Sequence, residues 1–411
     1  MVLVLASVAK EGKSMTVDPA ISGRIDLTRT QLMALISVML FGFSAALGMP
    51  FNLDSIVLAF STTNAMAGRI ATVEMLGVAV NSLIFAQLAG RLNPQRTFLV
   101  CIIIVAAMNL GAIFAPDLMI LGICRGISGL ALGAIIATVM STAGRSNNPD
   151  MTFGILNACV AGMGMVLALI LPQALRFYEL APGQGLSESD GLFAVYFVLA
   201  LVALFFIRAT PRTESEADSE SSVPEQPPAP LSGWIALVGL GIIFMGHGVI
   251  AMFFMRIGRT VDLTPEVIGL VGMAASGIGI FMSVIAGMIG AKFKSMIPIG
   301  SILLLLVILA PFISNPANTI QFFLAAPLFL FLPVGMMPIF LGALSRVDPG
   351  GKLTGSHPAF VTLSGGVAPI LGGILADAGE GFVLNGWFAV ACFIIGAGLM
   401  FSVIRTADQK R

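Results

Sequence analysis

The sequence predicts an all-α membrane protein with twelve spanning helices, six on either side of one polar break. Three observations predict it. Hydrophobic residues make up 57% of the 411 residues and charged residues only 10%, with a mean hydropathy of +1.00; a water-soluble domain needs more charge at its surface. The apolar residues fall in runs of about twenty, the length of a helix that crosses the hydrocarbon core. One long stretch, 210–232, interrupts the series with acidic, Pro and Ser residues and almost nothing apolar. It cannot build a core and reads as a flexible linker.

Taken in order, residues 1–28 read as a cytoplasmic tail. Their short apolar run precedes the first lysines, the reverse of a secretory signal, and Met15 is a second candidate start. Spans are predicted at 31–53, 66–89, 97–115, 118–143, 152–175 and 190–208, forming a first bundle over 29–209. After the linker come 233–256, 266–290, 296–314, 319–344, 355–377 and 384–404, a second bundle over 233–404, and a tail over 405–411. Backbone groups in lipid must bond within their own segment, so the runs are helices. With the N-terminus inside, sixteen of the 21 Lys and Arg residues fall on the inner side; only Arg69, Arg125, Arg176, Arg256 and Arg259 fall elsewhere. That bias places both termini in the cytoplasm of a cell (inner) membrane protein. Zero net charge suggests no nucleic-acid partner. Cys101, Cys124, Cys159 and Cys392 all lie in apolar stretches and read as small buried residues. Other classes lack their chemistry. Gly12-Lys13-Ser14 is only the tail of a phosphate loop, and two histidines, His247 and His357, cannot make a paired-histidine zinc site. No enzyme activity, metal or cofactor is expected.

Three local patterns are similar to those of the major facilitator superfamily (MFS). After the second span, Ala86-Gln87-Leu88-Ala89-Gly90-Arg91-Leu92-Asn93-Pro94-Gln95-Arg96 resembles the family's G-x-L-A-D-R-x-G-R-R loop, with Gly90 in place of the acid. In the fourth span, Arg125, Gly129 and Gly133 resemble its R-x-x-x-G pattern. In the eleventh, Gly365 to Gly373, with Pro369 inside, is similar to the glycine-proline element of proton-driven efflux members. The resemblance covers 30–405. It implies an MFS-type 6+6 fold with a pseudo-twofold axis and inverted repeats, and a secondary transporter working by alternating access. It also implies that Arg91, Arg96 and Pro369 serve the gates.

A charge in mid-membrane costs roughly 2.5–3.5 kcal/mol on insertion scales, so each one faces protein or water. Glu74 in the second span and Arg125 in the fourth belong to one bundle by the family architecture. They are either a proton-coupling pair or a fixed pair that holds the bundle. Asn81, Asn157, His247 and Phe254 are candidates for a substrate cavity. The alternatives are helix-to-helix hydrogen bonding for Asn157 and a structural role for His247. Pro333, Gly335 and Pro338, with Pro327, are expected to bend the tenth span as a gate. Asp54, Asp377, Arg256, Arg259 and Asp262 read as interfacial or loop charges. Few charges and few Trp or Tyr rings in the spans point to a small amphipathic organic substrate, with efflux favoured over uptake. Protons and the lipid bilayer are the other expected partners, and the chain is expected to be a monomer. A non-transporting receptor with this fold is the alternative.

Overall fold

The computed structural model describes residues 26–88, 92–144, 146, 149–180, 186–211, 230–348 and 352–409. The tail 1–25, most of the linker (212–229) and Arg91 lie outside the described residues. Fourteen α-helices occupy the described chain: α1 Arg29–Leu47, α2 Met49–Ala59, α3 Asn64–Gln87, α4 Pro94–Ile113, α5 Leu118–Gly144, α6 Pro149–Ala174 and α7 Asp190–Phe206. Then follow α8 Leu231–Ala251, α9 Phe254–Arg259, α10 Pro265–Lys292, α11 Met296–Ser314, α12 Thr319–Val347, α13 Lys352–Ala378 and α14 Val383–Gln409. Eleven helical segments are long and apolar enough to cross a membrane, with Met49–Ala59 and Pro265–Phe281 as shorter apolar helices. The fold is the predicted one of twelve spans, because α1 with α2 and α8 with α9 each make one broken span.

Local chemistry sets the helix starts. Thr28 and Gln31 form a capping box at α1, Asn93 accepts from the Arg96 amide at α4, and Asn318 accepts from the Gln321 amide at α12. The breaks have different causes. Pro50 lacks an amide hydrogen at the start of α2, and Gly48 lies under the Tyr196 hydroxyl, which a Cβ would strike. In the second half, Met252 and Phe253 turn between α8 and α9. Each broken span also ends in a left-handed residue, Ser61 (φ 46°) in the first half and Asp262 (φ 58°) in the second. Such backbone is uncommon outside glycine. The turn recurs at corresponding places in the two halves.

Glycines let neighbouring spans approach to backbone contact. A Cβ on Gly129 or Gly133 of α5 would collide with the carbonyl of Glu74 or Val78 on α3. Small residues at such crossings are how helices associate in lipid.

The buried apolar side chains form two clusters. One belongs to the first half alone: Leu35, Val38 and Phe41 of α1, Phe98 and Val105 of α4, Leu132 and Val139 of α5, and Ala200 and Ala203 of α7. These positions lie toward the face that carries both described chain ends. The other cluster joins the halves, bringing Phe51, Ile70 and Leu171 together with Phe254, Ile268 and Phe322. Those residues lie toward the opposite face. The molecule is therefore sealed at the face away from its termini; toward the termini the first half holds a core of its own, apart from the cluster that runs through the second half.

Candidate functional site

Three groups of residues follow from that arrangement. The first is a buried charge cluster inside the first half. Glu74 on α3 and Arg125 on α5 form an ion pair with both side chains 2% exposed. Arg125 Nε donates to Glu74 Oε2 at 3.0 Å, and Nη2 donates to Oε1. Nη1 donates to Asn109 Oδ1 on α4 at 2.7 Å. The guanidinium also stands 5.2 Å from the Phe193 ring centroid and 5.9 Å from that of Tyr196, both on α7, within the range of a cation–π contact. Every face of the arginine thus meets a partner, which is what burying a charge requires. The cluster extends one step further: Tyr196 Oη donates to Asn52 Oδ1 on α2 at 3.0 Å.

The second group joins the halves at the sealed face. Asp54, fully buried on α2, accepts from Arg259 Nε at 3.0 Å and Nη2 at 2.8 Å. Arg256 Nη1 lies 3.8 Å from its other oxygen, while Arg256 Nε donates to Asn64 Oδ1 at 3.0 Å. Asp377, at the end of α13, caps the start of α3: its oxygens accept from the Asn64 amide at 3.2 Å, Asn64 Nδ2 at 2.9 Å and the Ala65 amide at 2.7 Å. Beside this layer, Gly68 of α3 abuts the Pro369 carbonyl of α13, and Gly373 abuts Asn64. From the sequence Asp54, Asp377, Arg256 and Arg259 read as interfacial or loop charges; the structure joins them in one layer. The missed signal was register, since an acid ends the first span of one half and two arginines end the first span of the other.

The third group is the contact between α6 of the first half and α10 of the second. On α6, Ala168 packs under Gly269 and Gly272 of α10, and Gly164 lies 3.4 Å from Ser276 Oγ, measured from where a Cβ would stand. Asn157 continues the same stripe, at helical spacing from Ala161, Gly164 and Ala168, and is exposed.

The other predicted residues take separate places. Asn81 Nδ2 donates to the Leu130 carbonyl at 2.7 Å and ties α3 to α5. Phe254 is buried in the seal, edge-on to Phe51 across the halves at 6.1 Å. His247 is half-buried in the second half, stacked on Phe329 at 5.0 Å, with Phe244 at 6.5 Å. Its Nε2 is buried without a hydrogen-bond partner. Arg96 is exposed at the start of α4. Pro333, Gly335 and Pro338, with Pro327, all lie within α12, which runs through them as one helix.

Comparison with known proteins agrees with this geometry. The family model described as Major Facilitator Superfamily matches residues 33–349. Among solved structures, a D-xylose-proton symporter superposes with a TM-score of 0.72 at 12% identity, covering 90% of this chain and 96% of that one. A bacterial homologue of the human lysosomal transporter Spinster, inward-facing and occupied, gives 0.70 at 16% identity, covering 92% and 97%. A nucleoside transporter gives 0.65 at 11% identity, covering 92% and 99%. These likenesses establish the fold. With broken first spans in both halves, a seal at one face and a cleft toward the other, and with the family model spanning most of its length, this multi-pass chain belongs to the Major Facilitator Superfamily and is a membrane transporter rather than an enzyme.

Proposed function

We propose that the chain is a secondary transporter that moves a small amphipathic organic molecule by alternating access, coupled to protons through Glu74 and Arg125, in the direction of efflux. The observation that carries this reading is the asymmetric core, continuous between the halves at one face and divided at the other. A cleft between two rigid halves, closed at one end by the Asp54–Arg259 layer, is the form alternating access requires. With the termini in the cytoplasm, as the Lys and Arg distribution indicates, this cleft opens inward. A substrate entering it from the inside passes Asn157, with apolar surface around it. Sparse charge along the spans favours an amphipathic substrate over a multiply charged one.

Glu74 supports the coupling part of the reading. It is a carboxylate held by one guanidinium, in a network that reaches α2, the element that carries the seal. One elementary charge moving through 100 mV is worth about 2.3 kcal/mol, enough to drive useful accumulation. The test uses the purified protein in proteoliposomes with an imposed pH gradient and a panel of amphipathic organic compounds. Flux of at least one compound that rises with the gradient is expected. Glu74→Gln should retain binding of that compound but lose the response to the gradient. A gradient response equal to that of the original protein removes Glu74 from coupling. The absence of flux for every compound, with and without the gradient, overturns the transport mechanism proposed here.

A further inference from the structure

On the outside of the first half, away from the cleft, α3 and α5 leave a groove of about 520 Å³. Its walls are almost wholly apolar, among them Val73 and Gly77 of α3 and Gly122, Ile123 and Ile127 of α5. Val73, Ile123 and Ile127 are exposed, and they lie about one to three turns inside the membrane-spanning helices α3 and α5 from the sealed face, so the medium outside the groove is acyl chain rather than water. The glycines form its floor. A Cβ on Gly122 would meet only Ile70 Cγ1, at 4.0 Å, so the space is open. Arg69 stands at the mouth of the groove near the sealed face. It is exposed, and the contact recorded for its guanidinium is with the Met66 sulfur at 3.3 Å, not with a carboxylate. Asp117, the acid before the start of α5, is engaged in capping that helix, accepting from the Met119 and Ile120 amides at 2.9 Å.

An apolar slot of acyl-chain dimensions, with an unneutralised guanidinium at its headgroup end, has the chemistry of a phospholipid site. We propose that this groove binds an anionic phospholipid from the leaflet at the sealed face, with one acyl chain in the slot and the phosphate on Arg69. The opposite walls of the same two helices carry the charge cluster: Val73 precedes Glu74 in the chain and Gly126 follows Arg125. The bound chain thus packs against the α3–α5 seam that holds the ion pair together. The inference rests only on the chain crossing a membrane and is independent of any substrate or coupling.

The test compares phosphatidylglycerol with phosphatidylcholine of matched acyl chains, added to the full-length protein in detergent. Lipid retention is read by native mass spectrometry and stability by thermal unfolding. Preferential retention of phosphatidylglycerol is expected. Arg69→Gln, at an exposed position, should reduce that preference about fivefold, the effect of one basic group at an anionic surface. Gly122→Leu puts side-chain volume into the slot, its Cβ at van der Waals distance from Ile70 Cγ1, and should lower retention of both lipids in protein that unfolds without lipid at a temperature no lower than the original. Equal retention of the two lipids by the original protein overturns the headgroup assignment. Retention unchanged in Gly122→Leu overturns the groove as the site.

Discussion

At the centre of the first half, α3, α4, α5 and α7 converge on Arg125, which spends its hydrogen bonds on Glu74 and Asn109 and its faces on two rings. Within the second half, α8, α12 and α14 meet at a group of rings without an ion pair: His247 stacks on Phe329, and Phe329 lies 6.2 Å from Phe393. The backbones repeat, including the broken first span and the left-handed residue after it, while the centres do not. An ion pair fixes direction and spacing, because a planar guanidinium meets a carboxylate in few ways. Stacked rings fill volume and leave orientation freer. The half with the charged centre also contributes Asp54 to the seal, and one hydrogen bond, Tyr196 to Asn52, links its centre to the helix bearing that carboxylate. The half with the aromatic centre supplies the arginines that grip it. One half therefore has a polar line from its core to the gate, and the other presents a charged rim on an apolar core.

The sharpest way to break this comparison is Arg125→Leu. It leaves the buried Glu74 carboxylate without a donor and should cost about 3–5 kcal/mol, seen as a large drop in thermal unfolding temperature and in yield of monodisperse protein. The double variant Glu74→Gln with Arg125→Leu should regain most of that loss, since removing both charges removes the uncompensated one. A single variant as stable as the original would mean that the charge cluster does not hold the first half. In the second half, Phe329→Ala should cost about 3 kcal/mol through the cavity it opens. No second substitution at a polar partner should restore it, which distinguishes packing from pairing in the same assay. The smallest effect is expected from His247→Phe, which roughly conserves volume and removes the buried Nε2, an atom without a hydrogen-bond partner. The change in stability should stay under about 1.5 kcal/mol. A larger loss would show that the second half also depends on a polar contact at its centre.

The fold was largely legible because lipid imposes a simple rule on sequence. Apolar runs of the right length must be helices, and most observed helices begin and end within three or four residues of the runs. Glu74 and Arg125 were legible for a related reason, as charges in such runs are few and expensive. What the runs conceal is polarity without charge. Asn109 and Tyr196 sit in apolar segments and draw no notice until the arginine is seen against them. The breaks after Leu47 and Ala251 were hidden because hydropathy continues smoothly across them; only Pro50, just after Gly48, marked the first. The seal was the hardest to read. Asp54 and Arg259 lie in different halves, and pairing them needs the two repeats superposed, which hydropathy alone does not do. Phe254 reads as a cavity candidate in one half alone, and the seal that buries it forms only when both halves are present.

The distance along the chain between Asp54 and Arg259, 205 residues, has a consequence for biosynthesis. At about 5–20 residues per second, the arginine leaves the ribosome roughly 10–40 s after the carboxylate it will bind. Over that interval the first six spans can settle around their own apolar cluster near the termini, since that cluster draws on no later residue. Their far end has no such independence, because Asp54 and Phe51 wait for partners not yet synthesised. The nascent first half is therefore finished at one end and open at the other, and whatever occupies Asp54 in the interim, water or a chaperone of the insertion machinery, must be displaced when α9 arrives.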